Sequence, residues 1–338
     1  PLTTGLSGNP NPSMGTSSVA ISGSANDSAS GNSNVTNAEF FIDALGVNGS
    51  GTVMTLNQSA PIVSLTGTIS AATMSGLSEG NHSVFVHSRD AYGNWGAFAT
   101  LQLKVDKSGP TTSAVQLRPN PNNGALPYSP SFQSVRLDAT FTEPGAGPIA
   151  STIANAEFFI DTVGANGTGI LITPSDGSFN SVSENGYSYI PLITVNALSN
   201  GNHTISIHAR DAVGNWGPFT TATLTIDRTP PTVGIPTLTP SASNNTAVAI
   251  SATANDAATG NSNIGGGEYF IDTAGAAGTG AAMTATAALP NTTITANIPA
   301  AAIGALTTGN HTIYVRAKDA AGNWSTTTSA TLLIDRTA

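Results

Sequence analysis

The feature that most constrains this chain is its self-similarity. Gly93-Asn94-Trp95 returns as Gly214-Asn215-Trp216 and as Gly322-Asn323-Trp324. The same two intervals separate Gly80-Asn81-His82 from Gly201-Asn202-His203 and Gly309-Asn310-His311. Further upstream, Glu39-Phe40-Phe41-Ile42-Asp43 becomes Glu157-Phe158-Phe159-Ile160-Asp161 and Glu268-Tyr269-Phe270-Ile271-Asp272. Each copy closes on an apolar run ending in Asp: Asp106, Asp227 and Asp335. Repeats of this length are whole structural units. The 338 residues therefore divide into repeats at 1–108, 109–229 and 230–338. The joints, Asp106-Lys107-Ser108-Gly109-Pro110 and Asp227-Arg228-Thr229-Pro230-Pro231, are short and carry proline, which makes them stiff. Successive units are expected end to end, as a rod. Both ends of the chain fall at a joint of this kind and no signal peptide opens it, so the expectation is a piece of a longer array.

Within a unit the apolar pattern has period two. Val19, Ile21, Gly23 and Ala25 alternate with polar or small residues, as do Val248, Ile250, Ala252 and Ala254. His82, Val84 and Val86 share one face of a strand whose other face carries Phe85, His87 and Arg89, and Leu101, Leu103 and Val105 alternate in the last. No stretch shows a sustained helical period. About seven short strands per unit, bounded by turn residues and without helix, predict an all-β chain: three tandem antiparallel immunoglobulin-like β-sandwiches arranged end to end. The Trp of Gly-Asn-Trp is expected to fold over the end of the core.

Composition excludes several classes of function. Charged residues make up 9% of the chain and the net charge is −9, so nothing supplies the basic stripe that a nucleic acid or an anionic membrane surface needs. No apolar run approaches the ~18 residues of a membrane span. The absence of cysteine excludes disulfides and thiol chemistry. The many Asn-x-Ser/Thr triplets are what chance yields in a chain so rich in these residues.

The third copy spells out a Thr-Pro-Pro-Thr start, a Glu-Tyr-Phe-Ile-Asp strand, Gly-Asn-His-Thr-Ile-Tyr-Val-Arg, Lys-Asp-Ala-Ala-Gly-Asn-Trp and a closing Ile-Asp-Arg-Thr. This pattern resembles the bacterial immunoglobulin-like or fibronectin-III-like repeats of large surface and secreted proteins, and the resemblance covers the chain three times over. It implies a sandwich fold, an extracellular or cell-surface setting and a spacer, adhesive or assembly role. One departure is the Gly-x-x-Gly-x-Gly after the third strand: Gly46, Gly49, Gly51; Gly164, Gly167, Gly169; Gly275, Gly278, Gly280. A phosphate cradle would lead into a helix, whereas here another strand follows, so the glycines read as a turn needing positive φ.

Candidate chemistry is sparse. His82 and His87 lie five apart on a strand and face opposite ways, and the third copy has Arg316 at the second position, which breaks a zinc pattern. His82, His203 and His311 read as structural. A Ser-His-Asp triad needs an exposed nucleophile on a strained strand-to-helix elbow, and no hydrolase is expected. The carboxylates are the serious case. Asp27, Glu143 and Asp256 follow the second strand; Glu39, Glu157 and Glu268 open the third; Asp90, Asp211 and Asp319 close the sixth. In an immunoglobulin-type topology all three places share the pole that receives the preceding unit. Asp106 is therefore expected to meet Glu143, Glu157 and Asp211, and Asp227 to meet Asp256, Glu268 and Asp319. Clustered carboxylates repel unless a cation neutralises them, and hard oxygen donors suit Ca²⁺; the competing reading pairs them with Lys107 or Arg228, or leaves them in water. The second copy has longer loops, Pro119 to Ser131 and Asp176 to Tyr189, with Tyr128, Phe132, Phe179, Tyr187 and Tyr189, where a glycan or surface ligand could bind. The expected function is a non-catalytic structural or adhesive segment of a surface fibre, stalk or adhesin. Its expected partners are neighbouring repeats and other copies of the chain in a fibre. The alternative is a set of accessory carbohydrate-binding or spacer modules of a secreted hydrolase.

Overall fold

The computed structural model describes residues 1–125, 133–144 and 151–337. In the first repeat the strands are β1 (Leu2–Asn9), β2 (Val19–Asn26), β3 (Val35–Ile42), β4 (Thr52–Val53), β5 (Thr55–Leu56), β6 (Ile62–Ile69), β7 (Gly80–Asp90) and β8 (Ala99–Val105). They form two antiparallel sheets, β1-β2-β6-β5 and β4-β3-β7-β8. The segment Thr52–Leu56 belongs to both: β4 pairs with β3 and β5 with β6, and Met54 between them is buried. A second pair of sheets, built on Gln133–Thr142 and Ile153–Ile160, repeats the plan. In the third repeat Ala281–Ala285 pairs with both Ile264–Ile271 and Asn291–Ile298, which joins the two sheets into one path.

The inward residues of the two sheets meet in three separate cores. One centres on Ile21, Phe40, Leu65, Val84 and Leu103; one on Leu137, Phe141, Phe158, Ile205 and Leu224; one on Ile250, Tyr269, Ile294, Ile313 and Leu332. The period-two reading of the strands is what the burial shows, with Val19, Ile21 and Ala25 inside and their neighbours out.

Each repeat also contains a short helix the periodicity did not reveal: α1 (Ala71–Gly76) here, and Leu192–Ala197 and Ala300–Ala305 in the others. Six residues are under two turns. Each helix buries a single side chain, Met74, Val195 or Ile303, so no repeating apolar face exists to be read. Among the described residues no helix is long and apolar enough to cross a membrane.

The tryptophans do not close the end of the core. Trp95 lies on the outer face of the β3–β7 sheet, stacked on His87 at 4.3 Å, with Phe98 on the other side of the imidazole at 3.9 Å. Trp216, His208 and Phe219 repeat the sandwich. In the third repeat the cation of Arg316 sits 5.5 Å from the Trp324 ring and 5.1 Å from Phe270. The Trp backbone bridges to the residue before the closing Asp of β7, which holds the ring over the strand rather than beyond its end.

Candidate metal centre

The end of one repeat's last strand meets the leading pole of the next. Asp106 follows β8, and its amide is fixed to the Ser13 carbonyl at 2.9 Å. Glu143 follows the strand Gln133–Thr142, held by its amide to Val182 O, and Asp211 ends Gly201–Asp211. One carboxylate oxygen from each of Asp106, Glu143 and Asp211 lies within 4.8 Å of the others, and all three residues are buried. At the second joint Asp227, Asp256 and Asp319 meet in the same way. Oxygens on one Ca²⁺, with bonds of about 2.3–2.6 Å, are at most roughly 5 Å apart, so each trio fits a single ion.

An asparagine ties each joint. Asn215 Nδ2 donates to the Asp106 carbonyl at 2.9 Å and to Asp211 Oδ2 at 2.8 Å; Asn323 Nδ2 donates to the Asp227 carbonyl at 3.0 Å and to Asp319 Oδ2 at 2.8 Å. This is the Asn of Gly-Asn-Trp. Its return in all three copies was the available signal, but its role depends on a carbonyl that only the preceding repeat supplies.

Glu157 and Glu268 do not join the trios. The third strand begins at Ile153 and Ile264, four residues earlier than expected, which sets each Glu about 13 Å along the strand from the pole. Glu157 instead accepts from the amides of Gly167 and Gly169, at 2.8 and 2.7 Å, and from His208 Nε2 at 2.8 Å. Glu39 takes the amides of Gly49 and Gly51 and His87 Nε2. Glu268 takes Gly278, Gly280 and Arg316 Nε. These glutamates are the posts on which the Gly-x-x-Gly-x-Gly loops hang. Burial alone would raise the Glu39 carboxyl, but the hydrogen bonds from His87 and the two amides outweigh it and hold the group below the usual range.

In the first repeat Asp27 accepts from the Ser30 hydroxyl and from the amide and hydroxyl of Ser33, each at 2.8 Å, and these bonds keep its carboxyl far below the usual range. Asp90 is held by the Asn94 side chain and amide, with the same sign.

The joint's basic residue is spent elsewhere. Lys107 Nζ donates to the carbonyls of Ser75 and Leu77, and Arg228 donates to those of Val195 and Leu198, capping the short helices at their C-terminal ends. Among the described residues neither makes an ion pair with the trios, so the reading that pairs them is set aside. At the first joint the consequence is severe. Both oxygens of Glu143 and Oδ2 of Asp106 are buried without a hydrogen-bond partner among the described residues. Burial, with the charges of Asp106, Asp211 and Glu79, raises the Glu143 carboxyl to about 8; burial and the charges of Asp211 and Glu79 also raise Asp106. Ionised together, two such groups at this separation repel by about 3 kcal/mol at an effective dielectric near 20.

The histidines behave as read. His82, His203 and His311 each place Nδ1 2.7 Å from an Asp, respectively Asp43, Asp161 and Asp272, and Nε2 against a carbonyl four residues back. The aromatics of the second repeat are not a loop cluster. Tyr187 and Tyr189 lie on the strand Ser183–Pro191, edge to face at 5.7 Å beside Arg136, and Phe179 packs on the buried Phe141. Tyr128 and Phe132 lie outside the described residues.

A search of curated proteins by sequence returns no match. Among solved structures, one of a 1.5-MDa bacterial ice-binding adhesin, studied for host cell surface retention, aligns over 99% of this chain and 98% of its own at 16% identity and TM-score 0.43. The fibronectin(III)-like modules of Clostridium thermocellum CbhA align over 67% of this chain and 94% of theirs at 17% identity and TM-score 0.28. By sequence pattern, residues 188–265, which span the second joint, are similar to the bacterial Ig-like domain (group 3).

Proposed function

We propose that the chain is a non-catalytic, extracellular spacer: a structural or adhesive segment of a bacterial surface protein whose repeats are locked end to end, with Ca²⁺ bound between carboxylates at the joints. The observation that supports it is the contact made twice over, in which the closing Asp of one repeat and the β7-type Asp of the next share an Asn side chain. A chain that only needed its units tethered would not repeat a specific contact between them. Calcium would neutralise carboxylates that no basic side chain neutralises and would fix the angle between units. Scattering in solution tests the mechanical half: chelator should shorten the maximum dimension or broaden its distribution, and calcium should restore it. No change, together with no calcium uptake, removes calcium from the proposal. Antibodies against the chain should label intact cells that produce the whole protein; labelling only after lysis would count against a surface role.

The alternative, accessory modules of a secreted hydrolase that hold carbohydrate, is favoured by one observation, the Tyr187–Tyr189 pair on an outer sheet face. Retention of the chain on insoluble polysaccharide, lost in Tyr187→Ala, would support it.

A further inference from the structure

The two joints look alike in outline and differ in how their oxygens are satisfied. At the second joint all six carboxylate oxygens have partners within the protein. Asp227 is met by the amide of Thr229 and the hydroxyl of Ser262, Asp256 by the Thr259 hydroxyl and the Ser262 amide, and Asp319 by the amide and side chain of Asn323. At the first joint Asp211 is met in the same way by Asn215, but three oxygens, both of Glu143 and Oδ2 of Asp106, are buried with no hydrogen-bond partner among the described residues. Glu143 is 4% exposed, so bulk solvent does not reach it. A buried polar atom without a partner is costly and calls for an explanation.

The sequence contains the cause. After the second strand the first and third repeats read Asp-x-Ala-Ser/Thr-Gly-Asn-Ser: Asp27 to Ser33 and Asp256 to Ser262. That loop folds its own hydroxyls and amides back onto its Asp, through Ser30 and Ser33 in one case and Thr259 and Ser262 in the other. The second repeat has Glu143-Pro144-Gly145-Ala146-Gly147-Pro148 instead. The Ser/Thr three positions after the acid has become Ala146, proline removes an amide donor at Pro144 and at Pro148, and the acid itself is one methylene longer.

We infer that the joints are of two kinds: the Asp106–Glu143–Asp211 joint requires a divalent cation, and the Asp227–Asp256–Asp319 joint is closed by its own hydroxyls and amides and takes none. This rests on the calcium reading above and narrows it to one site per chain. The consequence is mechanical. Removing calcium loosens the hinge between the first two repeats and leaves the last two as a rigid pair, so the chain bends at one defined place.

The full chain tests this directly, because it contains no cysteine and introduced labels are unique. Spin labels at Thr100→Cys and Thr221→Cys report the first joint, and at Thr221→Cys and Ser329→Cys the second; all three are exposed and hold equivalent places on the last strand. With calcium chloride alone as ligand, calorimetry should count one ion per chain. Glu143→Gln should weaken binding by more than about tenfold through lost ligand charge, and Asp256→Asn should leave it unchanged. Chelator should broaden the first distance distribution and not the second. Replacing residues 143–150 with the sequence of residues 256–261 should abolish binding and keep the first distance narrow without calcium, which separates a lost ligand from a damaged fold. Two ions per chain, or broadening at both joints, overturns the asymmetry while leaving the calcium reading standing; an ion lost in Asp256→Asn but not in Glu143→Gln also overturns it. No calcium binding at all overturns both.

Discussion

At Glu157 one buried carboxylate receives two glycine amides and an imidazole, so truncation strands three donors at once. Removing one partner of a buried, hydrogen-bonded pair costs about 3–5 kcal/mol. Glu157→Ala should lower the unfolding free energy of its repeat by that amount, read as a lower urea midpoint at unchanged slope, and Glu268→Ala should do the same where Arg316 stands in for His. A loss below about 1 kcal/mol would mean the hairpin holds itself without its post. The histidine–aspartate pairs are a milder case with a defined pH window. His311 is raised above its ordinary 6.5 chiefly by the hydrogen bond to Asp272, then by the Thr307 carbonyl; Asp272 is lowered below 3.8 by the same bond. The raised His contributes stability that is complete below pH 6.5 and is lost as pH rises through its folded value. The lowered Asp contributes stability present above pH 3.8 and lost as pH falls through its folded value. The pair is therefore strongest between roughly pH 4 and 6.5 and, with Asp272 half exposed, contributes about 1 kcal/mol or less. Following the His311 ring by NMR, Asp272→Asn should bring its pKa down; an unchanged value would remove the pair as the cause. These histidines were legible because their phase on the strand put them inward. Glu39 was not, because its partners Gly49 and Gly51 reach it only once the hairpin has folded back.

The hairpin itself shows how three glycines serve different purposes. Only the middle one of each set has positive φ: Gly49 at 85°, Gly167 at 84° and Gly278 at 83°. The last one is glycine for space. A Cβ at Gly280 would lie 2.8 Å from the Tyr269 carbonyl and 2.8 Å from the Phe270 ring, whereas one at Gly278 would meet nothing within 4 Å. Gly278→Ala should therefore cost about 1–2 kcal/mol, the strain of a left-handed backbone, and Gly278→Asn less. Gly280→Ala should cost more than either, because the carbonyl cannot move without breaking the strand pairing. Equilibrium denaturation of the three variants gives the order, and a Gly278→Ala loss exceeding that of Gly280→Ala would refute it. The strands were legible as elements because period two is a local property and each has one dry face. The six-residue helices were not, since one buried side chain makes no pattern. The Trp–His–Phe stack was hidden for a related reason: its members come from β7 and from the turn after it, and only the pleat shows them to share an outer face.

Across the whole molecule, the three cores share no buried residue, and among the described residues the repeats meet through hydrogen bonds such as those of Asn215 and Asn323, the carboxylate trios and the Met14 side chain beside Gly214. Such a chain is close to one-dimensional: each unit holds its own stability, and neighbours add only an interface term. Ile313 is fully buried in the third core, and its truncation to Ala should cost about 2–5 kcal/mol. That loss should be confined. Hydrogen exchange followed by mass spectrometry should show faster exchange across residues 232–334 in Ile313→Ala and unchanged exchange in the first repeat. Leu137→Ala in the second core makes the sharper test, because that repeat carries Glu143 and Asp211. With calcium present its partial unfolding dismantles a shared site, so the ion's contribution, about 2.7 kcal/mol at a hundredfold excess over the dissociation constant, is lost with it, and the first repeat should begin to feel a substitution it does not touch. With chelator that influence should vanish and the first repeat should exchange as in the unaltered chain. If Leu137→Ala disturbs the first repeat equally with and without calcium, the repeats are coupled through packing at the joint and the trio carries no more than its share of it.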